Sequence, residues 1–173
     1  MGKAEFERSL QSGGHAALAE LAGDWAGTTR VWFEPDAPPA MEVAQTGRIR
    51  RVLGGRFLLH EYRYGEGDRA GEGMALYGLH LDEQAFEAAW VDSMHTGTSI
   101  MFSTGADRGH GFDVLGSYGE GQGGPRWGWR TRIAQPSPDQ LVLTMFNIAP
   151  DGNEAKAVET RYVRRKADAS AGA

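Results

Sequence analysis

The sequence predicts an all-β fold: a single antiparallel up-and-down β-barrel of about ten strands with a short N-terminal helix. Three observations carry that expectation. Extended runs follow one another from about residue 24 to residue 165, many of them alternating apolar and polar side chains. Most of the 25 glycines fall between those runs, as short hairpin connections require. Helical periodicity is confined to the front of the chain. One sheet of that many strands curls and closes, and closure leaves no unpaired edge.

Residues 4–11 can form a turn or two of helix, interrupted by Ser12-Gly13-Gly14. From His15 to Ala22, Leu18 and Leu21 fall three apart on one stripe. So short a helix does not hold alone, so the segment reads as a plug or lid. Leu21-Ala22-Gly23-Asp24-Trp25-Ala26-Gly27 is the pivot between helix and sheet. The glycine suits the turn out of the helix, and an indole early in a strand can plug one end of a β structure. A strand from Asp24 to Phe33 ends at Glu34-Pro35-Asp36-Ala37-Pro38-Pro39, which cannot pair in a sheet.

Met41 to Leu53 and Arg56 to Tyr64 flank Gly54-Gly55, a two-residue hairpin signal. In the second run Phe57, Leu59, Glu61 and Arg63 share one face, with Leu58, His60, Tyr62 and Tyr64 on the other. Asp82-Glu83-Gln84 joins Ala70 to Leu81 with Ala85 to Ser93, where Phe86, Ala88, Trp90 and Asp92 lie on one face. Thr98 to Thr104 and Phe112 to Tyr118 are separated by a glycine-rich turn, and residues 119–125 form a loop. Arg126 to Ala134 sets Trp127, Trp129 and Thr131 opposite Arg126, Gly128, Arg130 and Arg132. Two proline-led turns then introduce Leu141 to Ile148 and Glu154 to Arg165. The expected organisation is an N-terminal arm over 1–14, the barrel over 15–165 and a disordered small polar tail over 166–173.

A length of 173 residues suits one domain with a substantial core. The net charge of −5 argues against a surface devoted to nucleic acid or anionic lipid. With no cysteine there are no disulfides, thiolate metal sites or cysteine nucleophiles. Lys3, Glu5, Glu7 and Arg8 replace the apolar core a signal peptide needs, and no apolar stretch suits a membrane helix, so the expected location is the cytoplasm.

Gly23-Asp24-Trp25 after a short helix resembles the G-x-W signature of the calycins: lipocalins, fatty-acid-binding proteins and nitrobindins. That resemblance implies a lipocalin-like barrel with an arginine of the last strand stacked over the tryptophan. Gly23 and Trp25 with Arg161 or Arg164 would then close one end. The blocks His15 to Gly27, Arg51 to Leu58, Trp90-Val91-Asp92-Ser93-Met94 and Tyr162-Val163-Arg164 resemble a mostly bacterial, uncharacterised family, domain of unknown function 1579. The resemblance spans about residues 15–165 and implies the barrel but no established activity. The chain departs from the family's pattern at Gly78-Leu79-His80, where Gly-Tyr-Asp is usual, and at His95, where glycine is. Nitrobindins hold haem through a histidine near the C-terminus. No histidine follows His110 here, so neither haem nor another cofactor is expected.

Trp90 and Asp92 share a face, and Glu61 is a candidate neighbour on the barrel side. Two carboxylates in a lumen would have raised pKa values, and one could then act as general acid or base with His95. The plainer arrangement has Asp92 satisfying an arginine or backbone donors, as buried charges do. His15, His60, His80, His95 and His110 show no close ligand spacing, so no metal site is expected and each reads as a surface or loop residue. Asp92, Ser93 and His95 alternate faces and make no triad, and the glycine runs lack the lysine of a phosphate loop.

The expected function is non-enzymatic binding of a small, largely apolar ligand inside the barrel. Trp25, Phe57, Trp90, Phe102, Trp127, Trp129 and Met145 are the wall candidates, with Glu61, Asp92 and Arg130 as polar anchors. Two alternatives stand beside it. One is an acid–base enzyme using Asp92, Glu61 and His95; the other is a homodimeric interaction module joined through strand faces with exposed aromatics.

Overall fold

The structure, a computed structural model, describes residues 2–107, 111–119 and 123–166. His110 and the expected tail beyond residue 166 lie outside the described residues. Two short helices, α1 (Lys3–Ser12) and α2 (Gly14–Ala19), come first. Ten strands follow: β1 (Gly23–Val31), β2 (Met41–Val52), β3 (Phe57–Tyr64), β4 (Gly71–His80) and β5 (Ala85–Asp92) make the first half. The second half is β6 (Met101–Ala106), β7 (Phe112–Gly119), β8 (Arg126–Ser137), β9 (Gln140–Ile148) and β10 (Glu154–Arg164). Each pairs antiparallel with its neighbours in sequence, and β1 pairs with β10 to close the ring. The all-β up-and-down barrel read from the sequence is therefore the fold.

Period-two alternation sets which side chains enter the lumen. Leu58, His60, Tyr62 and Tyr64 of β3 are buried, as are Phe86, Ala88, Trp90 and Asp92 of β5 and Trp129, Thr131 and Ile133 of β8. Of these, Leu58, Phe86, Ala88, Trp90, Trp129 and Ile133 merge with Trp25, Ile49, Leu141, Leu143 and Tyr162 in one core. Burying each large apolar side chain stabilises the fold by roughly 1.5–3 kcal/mol.

One end of the barrel is sealed. Trp25 is fully buried and its Nε1 donates to the Leu21 carbonyl at 3.0 Å. The Arg164 guanidinium lies 4.2 Å from the centre of that indole and donates to the carbonyls of Ala22, Glu20 and Pro138. Gly23 makes room for it, since a Cβ there would overlap Arg164 Nη1. Of the two closure arginines expected, Arg164 alone does this. Arg161 alternates to the outer face, 63% exposed, and bonds Glu159 at 2.7 Å. The helices cover the same end: a Cβ on Gly14 would strike Leu79, and Arg56 lies over the Phe6 ring at 4.4 Å.

Two local expectations are corrected. Gly54-Gly55 is not a two-residue hairpin, because Leu53, Gly54 and Gly55 all take positive φ in a 3-10 turn. The sixth strand begins at Met101 rather than Thr98. Asp92 captures the N–H groups of Met94 and His95, and Thr96 bonds the Asp92 carbonyl, so the chain stays folded back beyond β5.

Candidate functional site at the open end of the barrel

The opposite end carries the loops that follow β1, β3, β5, β7 and β9, and among the described residues no α-helix covers it. Asp92, the last residue of β5, is the centre of this mouth. It is 5% exposed and accepts five hydrogen bonds. Tyr62 donates to Oδ2 at 2.6 Å, while Tyr64 at 3.2 Å, Met94 N at 2.7 Å, His95 N at 3.1 Å and His95 Nδ1 at 3.1 Å reach Oδ1. Trp90 Nε1 in turn donates to the Tyr62 hydroxyl at 2.7 Å.

Burial opposes ionisation of Asp92. The bonds from His95, Tyr62 and Met94 outweigh it and hold the carboxyl at a pKa of about 2. Burial, reinforced by the carboxylate, pushes the Tyr62 hydroxyl well up and the Tyr64 hydroxyl to about 12, so both remain donors. The His95 ring lies 5.8 Å from Trp90 and 5.8 Å from Trp129, whose indoles stack at 5.4 Å. With Nδ1 donating to Asp92, the Nε2 of a neutral His95 is an acceptor.

Deeper in the lumen a second polar chain crosses the barrel. Thr160 bonds Thr29 at 2.7 Å, Thr29 donates to Gln45 at 2.5 Å, and Gln45 donates to Tyr162 at 2.5 Å. Tyr162 and Tyr77 flank His60 at 3.4 and 3.3 Å. His60 is 1% exposed, and burial lowers its pKa to about 3, so it is neutral. Its expected place on the surface or in a loop is therefore wrong: it alternates with Leu58 and Tyr62 on the inward face.

A cavity of about 30 Å³ separates the two polar groups. Apolar side chains, Val31, Met41, Leu143, Met145 and Val158, and polar ones, among them Gln45, Tyr64, Asp92, His95 and Thr160, line it together. That volume holds about two waters, so side chains fill most of the barrel. A larger depression of about 920 Å³ runs along β1 to β5, where outward Arg48, Arg63 and Glu72 line it together with Trp25, Tyr62 and Asp92. Two of its ion pairs, Arg48 with Asp24 and Arg63 with Glu72, are on exposed side chains. Such pairs contribute little and position nothing.

The expected site residues divide between the two faces. Trp25, Trp90, Asp92, Trp129 and Met145 are buried inside, although Trp25 belongs to the sealed end. Trp127 shares the inward face of β8, and its Nε1 and that of Trp129 are buried with no hydrogen-bond partner among the described residues. Four candidates are corrected to the outer face. Phe57 and Glu61 alternate with the inward residues of β3, and Glu61 pairs with Arg50 at 3.3 Å. Phe102 is 58% exposed, and Arg130 bonds Asp113 and Glu154 outside the barrel. Tyr62, Tyr64, Gln45, Thr29 and Thr160 were missed. The tyrosines' signal was present in the alternation of β3; Gln45, Thr29 and Thr160 gave none, because their convergence needs the closed ring.

Among the described residues no cluster of histidine, cysteine or carboxylate side chains is arranged to hold a metal, and no helix is long and apolar enough to cross a membrane. A family model described as protein of unknown function (DUF1579) matches residues 11–164. No curated protein matches the chain. The crystal structure of Rv2717c from M. tuberculosis is similar at 18% identity and a TM-score of 0.57, covering 91% of this chain and 98% of that one. At that identity the likeness is one of fold. The chain belongs to the DUF1579 family.

Proposed function

We propose that this member of the DUF1579 family is a binding protein for a small molecule taken up at the open end of its barrel. The observation that carries the reading is the mixed apolar and polar lining of the residual cavity. Val31, Leu143, Met145 and Val158 offer apolar contact, and Tyr64, Asp92 and His95 offer polar groups. A compact amphiphile suits that lining, with less apolar character than the sequence suggested. Because the free volume is about 30 Å³, the ligand must displace side chains at the mouth, and His95 is the one on a loop.

Binding is preferred to acid–base catalysis on two grounds. Glu61 is on the outer face, which removes one member of the expected pair. Asp92 accepts five hydrogen bonds and is a correspondingly weak base. Native and denatured mass spectra of the purified protein test the reading, with Leu143→Trp as the filled-cavity control. The expected result is a retained small mass on the native chain that the variant lacks. Bare masses for both proteins, with no response of the wild type to either 1-butanol or n-butylammonium in an NMR titration, would refute it.

A further inference from the structure

We infer that the polar end of the cavity is a receptor for a small protonated amine, and that the chain's own His95 occupies it in this structure. The inference rests on the binding reading above and names the ligand class. It starts from charge. Asp92 is a buried carboxylate, and among the described residues its single ionic partner is His95 at 3.1 Å. Buried charges are normally balanced by a permanent opposite charge. An imidazole supplies one only when it carries a second proton.

The walls repeat the preference. Tyr62 stacks with Tyr64 at 6.2 Å and Trp90 with Trp129 at 5.4 Å. The first pair also donates both hydroxyls to the carboxylate. Aromatic faces around a buried anion attract a cation and repel an anion. His95 already acts out the part, with an N–H on Asp92 and its ring 5.8 Å from each indole. An ammonium nitrogen bearing at least one hydrogen can take over that bond without leaving the carboxylate short of a donor. Its alkyl group would then run along Met145 and Val158, which line the same cavity. A ligand carboxylate would meet Asp92 directly, and an alcohol would leave the buried charge unbalanced.

His95 is placed to leave. It follows β5 in the connection to β6, its side chain is 23% exposed, and Gly97 two residues on takes a φ of +57°. A ligand that must first expel it binds more weakly by the fraction of time the site stands open.

His95→Ala empties the receptor, and four probes read it by tryptophan fluorescence near neutral pH: n-butylammonium, imidazole, 1-butanol and butyrate. The variant should bind n-butylammonium and imidazole at least about 10-fold more tightly than the wild type does, with the same margin over 1-butanol and no response to butyrate. Equal affinity for 1-butanol and n-butylammonium overturns the amine assignment and leaves the binding cavity standing. Failure of all four overturns both. The unsubstituted protein gives a second measurement: n-butylammonium must shift the His95 imidazole resonances, and 1-butanol at the same concentration must not. Unmoved His95 resonances at saturating amine also overturn the assignment.

Discussion

His60→Gln should change the acid sensitivity of this barrel by an amount the structure allows to be worked out. His60 is 1% exposed, and burial carries its pKa from 6.5 in the unfolded chain to about 3 in the fold. A folded pKa below the unfolded one gives stability that is complete above pH 6.5 and is lost as pH falls toward 3, because only the unfolded chain takes up the proton. Well inside that window each pH unit costs about 1.4 kcal/mol, and acidifying from pH 6.5, where the unfolded histidine is half protonated, to about pH 4.5 costs about 2.3 kcal/mol through this one group. Glutamine keeps a donor and an acceptor near Tyr77 and Tyr162 and has no such titration. Urea unfolding of both proteins across that range reads the difference, and groups common to both, including buried His15, cancel. The wild type should lose stability faster than the variant by about 1.4 kcal/mol per pH unit. Parallel lines would refute a neutral buried His60.

Four more outcomes rest on the same geometry. Asp92 holds its pKa at about 2 against an ordinary 3.8, so it contributes about 2 kcal/mol above pH 3.8 that disappears as pH falls through 2; Asp92→Asn should flatten that last stretch of the acid-unfolding curve. Trp25→Ala removes a fully buried indole from the sealed end and should cost about 3–5 kcal/mol in urea unfolding. Gly27→Ala drives a Cβ into the Arg161 carbonyl oxygen, so a loss of at least about 3 kcal/mol, or no folded protein by circular dichroism, is expected. Phe102→Ser, on the outer face, should leave the urea midpoint within about 0.5 kcal/mol of the wild type.

The sequence was legible where one physical rule acts locally. Alternation with glycine and proline punctuation marked all ten strands, and Gly23-Asp24-Trp25 marked the sealed end. Facing was legible too: the split of β3 into Phe57 and Glu61 against His60 and Tyr62 is the split observed. Phe57 and Glu61 are an aromatic ring and a carboxylate, residue types that suit a ligand site, yet the same alternation places them on the outer face. Phe102 is another aromatic ring on the outer face. The centre of the site was less accessible, since Tyr62 and Asp92 lie 30 positions apart and meet only through the β3–β4–β5 register. Thr29 and Thr160, 131 positions apart, meet only where the ring closes.

That closure also governs how the molecule comes into being. The closure at β1 and β10 joins parts of the chain as much as 144 positions apart, as in the bond from Arg164 to the Glu20 carbonyl. Contacts of such long sequence separation form slowly, because the intervening loop must first be ordered. On a translating ribosome β1 is made first among the strands and β10 last, so the nascent sheet carries two bare edges until the final strand emerges. Those edges, at β1 and β9, are templates for pairing with another nascent chain. A polypeptide stopped short of Glu154 would keep both edges for good and pass to aggregates or proteolysis.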